Sequence, residues 1–350
     1  MNNDTVGTAV RLRLFGASHA PELGFELEGI PAGLAVDPDA LRGELERRSA
    51  AAYGFATGRR EADEPVIEAG LENGVTTGGV IRMSFKNRAY DRSEYRPVAR
   101  PSHADYAAFV KSGGGEDISG GGRYSGRMTL PMTAAGAVCR QLLRTRGIEV
   151  FGHIAAIGEL KDVPFDPMLT EKPDMDRLFP LVDPSLGAGM KALIEQTRRE
   201  GDTLSCEAEA AVTGLPVGLG EPLANGVEGT LSRLLFMIPG LRGVSFGELR
   251  ARGSLMNDCF GEGGRTLTNR SGGVNGGMAN GMPLIFRCAF RPVPSISLPQ
   301  TGFDLIEKKP VPLTITGRHD TCILPRGLAA VEAAAALGTA DLLMMGEGNG

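Results

Sequence analysis

The stretch between residues 97 and 129 concentrates side chains that bind anions and exchange protons. It contains three arginines, one histidine and two glycine triplets, namely Arg100, Arg123, Arg127, His103, residues 113–115 and residues 120–122. Arginine offers a rigid fork of donors that suits phosphate and carboxylate oxygens, and histidine can supply a proton near neutral pH. Because glycine lets the backbone approach a ligand closely, this stretch predicts a catalytic pocket for a polyanion.

Three of the four histidines lie in polar or glycine-rich turns. His19 lies in FGASHA, His103 in RPSHADY and His319 in TGRHD. A single histidine is more often a surface or core residue than a catalyst, whereas three in such turns leave the two roles evenly balanced. Asp320 follows His319 and lies close to Arg318, so its carboxylate is either half of an ion pair or a general base.

Two glycine-rich segments are candidates for ligand contact. GGGRYSGR lacks the GK[ST] ending of a phosphate-binding loop and does not match GxGxxG, so the nucleotide signal is weak. Its backbone N–H groups precede a long predicted helix, whose start favours anions; the alternative is a surface loop with solvated charge. The second segment, TNRSGGVNGGMANGMP, is interpreted as a loop that approaches a ligand, because its flanking strands argue against a linker.

Composition excludes several functional classes. The chain has 350 residues and a formal net charge of −5, which argues against a general nucleic-acid binder. The five cysteines are scattered without a CxxC motif, so neither a disulfide framework nor a metal site is expected. The amino terminus lacks the apolar core of a secretion signal, and Glu332 and Asp341 interrupt the longest apolar stretch. A cytoplasmic protein is therefore expected.

Hydrophobic periodicity predicts a mixture of strands and helices. Strands are predicted over residues 8–15, 66–69, 80–85, 148–157, 203–213, 284–290 and 311–316, and helices over residues 38–48, 133–146, 185–200, 227–237 and 325–345. Asp37 caps the first helix, with Pro38 in its first position, and His153 is interpreted as a structural residue within a strand. The elements do not alternate regularly, so we predict a single α+β domain over residues 1–345 with mostly antiparallel sheet. Residues 346–350 are expected to be a frayed tail.

Nine motifs in register identify a family resemblance. They are FGASHA, RRSAAAYGFATGRREAD, GVTTGG, RPSHADY, GGGRYSGRMT, LGEP, NRSGGVNGGMANG, RPVPSI and TGRHDTCILPR. Together they resemble the chorismate synthase family from about residue 7 to residue 345. The resemblance implies a β–α–β sandwich with helices between antiparallel sheets, a homotetramer, and 1,4-elimination of phosphate from 5-enolpyruvylshikimate 3-phosphate, the last step of the shikimate pathway. It also implies a requirement for reduced FMN without net redox change.

The resemblance also implies roles for individual residues. His19 would donate a proton to the departing phosphate, His103 would keep the reduced flavin in its active protonation state, and Asp320 would act through the flavin in removing the ring proton. The arginines expected to hold the substrate are Arg48, Arg100 and Arg127. The expected flavin contacts are Arg123, Tyr124, Ser125, Pro239, Gly240, Gly276, Arg291, Pro292, Val293, Pro294, Ser295 and Arg318.

The sequence departs from the family pattern at several motif positions, and two of these lie in the expected flavin loop. Arg291 replaces lysine and Val293 replaces threonine, and arginine is not equivalent to lysine at a phosphate contact, so flavin affinity is left open. Two alternatives remain: a different flavoenzyme on the same scaffold, or a non-enzymatic sensor or assembly partner. No domain for reducing the flavin with NADPH is evident, so a separate flavin reductase or an anaerobic cytoplasm is expected.

Overall fold

A computed structural model describes residues 5–54, 63–87, 97–115, 119–317 and 319–348. The strands are β1 (Thr5–Val6), β2 (Arg11–Gly16), β3 (Glu22–Glu28), β4 (Val66–Ala69), β5 (Leu71–Glu72), β6 (Val75–Thr76), β7 (Ile81–Lys86), β8 (Val98–Ala99), β9 (Glu149–Ile157), β10 (Leu160–Lys161), β11 (Cys206–Thr213), β12 (Leu241–Phe246), β13 (Val274–Asn275), β14 (Met278–Ala279), β15 (Leu284–Phe290), β16 (Gln300–Asp304) and β17 (Lys309–Leu313). The α-helices are α1 (Pro38–Arg48), α2 (Asp105–Lys111), α3 (Thr129–Arg144), α4 (Gly187–Glu200), α5 (Val227–Leu235), α6 (Gly253–Met256) and α7 (Arg326–Gly348).

Two five-stranded antiparallel sheets enclose the central helices. The first sheet has the order β1-β2-β3-β7-β4 and the second has the order β10-β9-β11-β15-β12. Helices α3 and α7 pack against each other, while α3 contacts β3 of the first sheet and α7 contacts β9 of the second. This arrangement of helices between antiparallel sheets confirms the predicted α+β fold.

Small residues allow α3 and α7 to pack closely in the core. A Cβ atom placed on Gly136 would lie 2.4 Å from the Cβ of Ala333, so glycine is required at this crossing. By length and composition α7 could cross a membrane, but 89% of its most apolar window is buried inside the fold. Its apolar character is thus explained by its position between the two sheets.

A buried carboxylate joins the three helices that carry the site. Glu332 on α7 is 2% exposed and accepts hydrogen bonds of 2.7 and 2.9 Å from Arg47 on α1 and of 2.8 Å from Arg140 on α3. Burial raises the pKa of Glu332, but the charges of the two arginines outweigh it and lower that pKa to about 2. The ionised carboxylate therefore stabilises the helical layer.

Replacing Glu332 by glutamine is expected to lower the free energy of unfolding by about 3 kcal/mol at pH 7, because two buried arginines lose their counter-charge. Since the folded pKa lies below the ordinary value of 4.5, this stabilisation is present above about pH 4.5 and is lost as the pH falls towards 2. Denaturant unfolding at several pH values measures both effects. Glu347→Gln is the control, since that carboxylate is 44% exposed in its pair with Arg146; equal losses in the two variants would contradict the prediction.

Several elements agree with the sequence to the residue, whereas β2 starts later than predicted. It begins at Arg11 rather than residue 8, because the N–H groups of Thr8, Ala9 and Val10 donate to the carboxylate of Asp341 at 2.7–3.0 Å instead of pairing with a strand. A side chain 331 to 333 residues away along the chain thus fixes the start of the strand.

Other limits also differ: β11 starts at Cys206 rather than residue 203, α4 at Gly187 rather than residue 185, and α5 ends at Leu235 rather than residue 237. Further shifts concern α3, β17 and the carboxyl end. Helix α3 begins at Thr129 rather than residue 133, with Pro131 in its first turn, where a missing N–H does no harm. The strand predicted over residues 311–316 is wrong at its end: β17 stops at Leu313, opposite the first residue of its partner β16, Gln300. The tail predicted to begin at residue 346 is helical as far as Gly348.

Candidate active site

The turn between β8 and α2 fixes the ring of His103. Its Nδ1 donates to the carbonyl oxygen of Pro101 at 3.0 Å, so Nε2 is the acceptor for the hydroxyl of Ser295 at 2.8 Å. Burial lowers the pKa of His103, and the positive charge of Arg100 adds to the shift. His103 is therefore neutral at pH 7, with its Nε2 lone pair held in a defined direction.

Arg100 is held by a carboxylate of the same turn. Asp105, 3% exposed, receives Arg100 Nε at 2.7 Å and Nη2 at 2.9 Å, and the backbone N–H of Arg100 at 3.0 Å. Burial raises the pKa of Asp105, but Arg100 outweighs it and the net shift is downward. Arg100 thus fixes the His103 turn, and its expected contact with substrate stays a prediction.

The expected flavin loop, residues 291–295, joins this turn to two other segments. The Nη1 group of Arg291 donates to the carbonyl oxygen of Ser102 at 3.0 Å. The backbone N–H of Arg291 donates to the carbonyl oxygen of Gly240, also at 3.0 Å. The carbonyl oxygen of Val293 accepts the hydroxyl of Thr203 at 2.7 Å. The loop therefore brings two of the predicted flavin positions, Arg291 and Ser295, next to the His103 turn; Pro292, Val293 and Pro294 lie in the same loop.

Asp320 lies beside the start of α7. Its two carboxylate oxygens lie 3.0 and 3.2 Å from Nη1 of Arg326, and the carbonyl of the next residue, Thr321, accepts the N–H of Leu204 at 2.8 Å. Neighbouring His319 is half-buried, and both burial and the charge of Arg100 lower its pKa. Arg318 lies outside the described residues.

A hydrogen-bond network supports the turn that carries His19. The amide of Asn87 donates to the carbonyl oxygens of Ala17 and Ala20 at 3.2 and 2.7 Å, and its own oxygen accepts Arg127 Nε at 3.4 Å. The hydroxyl of Ser18 lies 3.0 Å from Nδ1 of His19. The orientation of His19 is thus linked to one of the predicted substrate arginines.

Two predicted substrate arginines share one carboxylate. Asp63 lies 2.6 Å from Arg127 Nη1 and 3.5 Å from Arg48 Nη1. Burial lowers the pKa of Arg48 well below its usual value, and the charge of Arg326 adds to the shift, while Asp320 opposes it. Since an arginine keeps its proton in proteins, Arg48, Arg127 and Arg326 together crowd positive charge around Arg48, and this favours an anionic ligand beside Arg48.

A cleft of about 880 Å³ lies next to the FGASHA turn, and its described lining does not include Arg48, Arg127 or Asp320. Its lining includes Gly16, the second residue of the FGASHA motif, together with the predicted flavin positions Arg123, Tyr124 and Pro239. Such a volume is typical of a small-molecule site. Ser125 accepts the N–H of Arg127 at 3.3 Å and so caps the turn between the two arginines.

Gly276 lies apart from the other predicted flavin positions. It occupies the turn of the β13–β14 hairpin with φ 61°, and the next residue, Gly277, accepts the N–H of Val227 at 2.8 Å. This hairpin therefore packs at the start of α5, whereas Pro239 follows the end of that helix. Its contact with a flavin stays a prediction.

His153 lies in β9 with both ring nitrogens bonded to carboxylates. Nδ1 lies 2.8 Å from Asp162 and Nε2 lies 3.0 Å from Glu209, and the side chain is fully buried. These contacts support the structural role predicted for His153.

We expect His153→Leu to lower the free energy of unfolding by about 3 kcal/mol, because two buried carboxylates each lose one of their hydrogen-bond partners. Turnover per folded molecule should change less than twofold; a large loss of turnover in fully folded protein would contradict the structural role.

Sequence reasoning missed the residues that hold the predicted ones. Asp63, Asn87, Asp105 and Arg326 position Arg127, His19, Arg100 and Asp320, respectively. Asp105 lies two residues after His103, so its position in the sequence could have predicted that it contacts the same turn. Asp63 and Asn87 lie far from their partners along the chain, and only tertiary structure brings them together.

Comparisons with known proteins agree on one family. A family model described as chorismate synthase matches residues 10–344. A chorismate synthase from Dehalococcoides mccartyi is 41% identical over 98% of this chain and 97% of its own length, and one from Aeropyrum pernix is 39% identical over 99% and 94%. A crystal structure of chorismate synthase superposes with a TM-score of 0.75 at 24% identity, over 97% of this chain and 93% of the other. That last likeness concerns the fold alone.

Proposed function

The chain belongs to the chorismate synthase family, and we propose that it converts 5-enolpyruvylshikimate 3-phosphate to chorismate and phosphate with reduced FMN as cofactor. Two sets of contacts carry the proposal: one links the His19 turn to Arg127, Asp63 and Arg48, and the other links the His103 turn, through the 291–295 loop and residues 203–204, to the segment of Asp320. The two sets together hold the proton-transfer groups and anion-binding groups that a 1,4-elimination of phosphate requires.

The arginines would neutralise the substrate. It carries two carboxylates and a phosphate monoester of about −1.5 to −2 charge at neutral pH, and such groups are bound best by fixed guanidinium forks. Arg48 and Arg127 face a single carboxylate, Asp63, so positive charge remains for a substrate anion. Their hydrogen bonds, including Arg48 Nη2 to the Gly126 carbonyl at 2.9 Å, hold them in place before binding.

The three acid–base residues would divide the proton transfers. His19, hydrogen-bonded to Ser18, would donate a proton to the departing phosphate. Neutral His103 would accept or return a proton at Nε2, where Ser295 directs its lone pair. The Asp320 carboxylate, oriented by Arg326, would receive the proton that leaves the ring. Positioned acids and bases of this kind typically accelerate a reaction about 10²- to 10⁴-fold.

The residues present fit a flavin. The cleft is large enough for a three-ring system, and it offers the aromatic ring of Tyr124 and the guanidinium of Arg123. When bound, reduced FMN supplies an electron that is lent to the substrate and returned, so that no net oxidation occurs. The chain itself would bind and orient the cofactor and exclude water, and the 291–295 loop, which contacts the His103 turn, is expected to contribute further flavin contacts.

The setting of the enzyme follows from the same proposal. We expect a homotetramer in the cytoplasm. We also expect a separate flavin reductase or an anaerobic environment to supply reduced FMN, because the described elements are accounted for by the α+β fold itself.

An anaerobic turnover assay tests the proposal. Purified protein with reduced FMN and 5-enolpyruvylshikimate 3-phosphate should release phosphate and chorismate in equal amounts, with the flavin reduced at the end. Absence of both products from folded protein would refute it. Net oxidation of the flavin would favour the alternative of a different flavoenzyme, and binding without turnover would favour a sensor.

A further inference from the structure

The cleft beside the active site carries an unbalanced positive charge. Among the described residues that line it, four are basic and none is acidic, although the whole chain has a net charge of −5. By contrast, the cavity of about 450 Å³ lined by parts of α1 and α3 has four arginines and three carboxylates. The imbalance is therefore a property of this cleft and not of cavities in this chain generally.

Most basic side chains around the active site are already matched by a carboxylate. Arg100 pairs with Asp105, Arg326 with Asp320 and Arg13 with Glu26, whereas Arg48 and Arg127 share Asp63. Of these arginines, only Arg13 is among the described residues that line the cleft. The capacity of the cleft itself for a doubly charged ligand therefore depends on its other basic residues.

Lys111 and Arg233 are two such residues. Both line the cleft and both side chains are exposed. Across residues 5–54, 63–87, 97–115, 119–317 and 319–348, neither lies within ion-pair distance of a carboxylate. Their charges are thus available to a ligand that enters the cleft.

The elements that carry these cations are the ones that carry predicted site residues. Lys111 is the last residue of α2, whose start follows directly on the His103 turn. Arg233 lies in the last turn of α5, which leads into Pro239 and Gly240. The backbone positions of Lys111 and Arg233 are therefore fixed relative to the His103 turn and to the predicted flavin positions, respectively.

We propose that Lys111 and Arg233 form a binding site for the phosphate monoester of a ligand in the cleft. The site rests on the proposed function, since both its cofactor and its substrate carry such a group. The 5′-phosphate of the flavin is the expected occupant, because Arg123, Tyr124 and Pro239 line the same cleft; the 3-phosphate of the substrate has the same chemistry.

Paired titrations test the site without relying on turnover. Affinity for oxidised FMN and for riboflavin is measured by flavin fluorescence, and calorimetry compares the substrate with its dephosphorylated form. Lys111→Met and Arg233→Met keep an unbranched, flexible side chain and remove the charge. Each should weaken binding of the phosphorylated ligand about tenfold, and the double variant about a hundredfold, while the phosphate-free counterpart binds as before. The loss should shrink at high salt.

The outcomes separate the possibilities. A loss for FMN but not riboflavin assigns the site to the flavin phosphate, and a loss for the substrate but not its dephosphorylated form assigns it to the substrate phosphate; either supports the site. Unchanged affinities, or equal losses for the phosphate-free ligands, would overturn the proposed site. Lys111 and Arg233 would then only stabilise the carboxyl-terminal ends of α2 and α5. Arg146→Met is the control. It removes an exposed positive charge just after the carboxyl-terminal end of α3, and Arg146 does not line the cleft. If the wild-type protein bound FMN but formed no chorismate, the proposed reaction would be refuted. The binding titrations would still test the phosphate site, because they do not depend on turnover.

Discussion

Replacing His103 by alanine is expected to lower kcat at least a hundredfold while changing the free energy of unfolding by only about 1 kcal/mol. Removal of the ring abolishes proton transfer at Nε2, which is typically worth 10²- to 10⁴-fold. The folded protein loses two hydrogen bonds, those to Pro101 and Ser295, each worth about 1 kcal/mol or less at a partly hydrated site. Steady-state phosphate release and denaturant unfolding measure the two quantities.

The pH dependence provides a second readout for His103. Burial and Arg100 lower its pKa from the ordinary value of 6.5, so the neutral form persists below that pH. Activity that needs the neutral ring should be retained down to pH 6.5 and lost as the pH falls through the lowered pKa. Ser295→Ala, which leaves the ring in place, should cost about tenfold in kcat. Equal losses of turnover and stability in His103→Ala would indicate a structural residue instead.

Replacing Asp320 by asparagine is expected to lower kcat by 10²- to 10⁴-fold. The substitution preserves shape and removes the charge that would receive the ring proton. Because Asp320 and Arg326 are 19% and 17% exposed in their pair, the accompanying loss of stability should be about 1 kcal/mol. Binding of oxidised FMN and of substrate should change less than tenfold.

A matched substitution isolates the role of this carboxylate. Asp183→Asn removes a carboxylate that caps the turn before α4 and should leave kcat unchanged. Anaerobic single-turnover measurements with reduced FMN separate the chemical step from product release. If Asp320→Asn turned over at the wild-type rate, Asp320 would be only the ion-pair partner of Arg326, the alternative that the sequence leaves open.

Local signals in the sequence predicted those elements whose limits are set locally. Helix α1 begins where Asp37 and Pro38 predict it, and the side chain of Asp37 accepts the N–H of Asp39 at 2.8 Å. Strands β4 and β15 have the predicted limits. The start of β2 was not predictable, because it depends on Asp341 at the other end of the chain.

The active site divides in the same way. His19, His103 and the arginines could be identified from sequence motifs, because residue type and neighbouring glycines are visible along the chain. Their partners were not readable, since Asp63 meets Arg127 across 64 residues and Ser295 meets His103 across 192 residues. Lys111 and Arg233 were missed for a related reason: an unmatched charge is recognised only when its surroundings are known.

The most direct measurement is an experimental structure of the protein with oxidised FMN and 5-enolpyruvylshikimate 3-phosphate bound together. We predict the flavin in the cleft lined by Arg123 and Tyr124, and the substrate anions within hydrogen-bond distance of Arg48 and Arg127. His19, His103 and Asp320 should each touch one of the two ligands. Ligands bound elsewhere, or a substrate out of reach of these three side chains, would contradict the account.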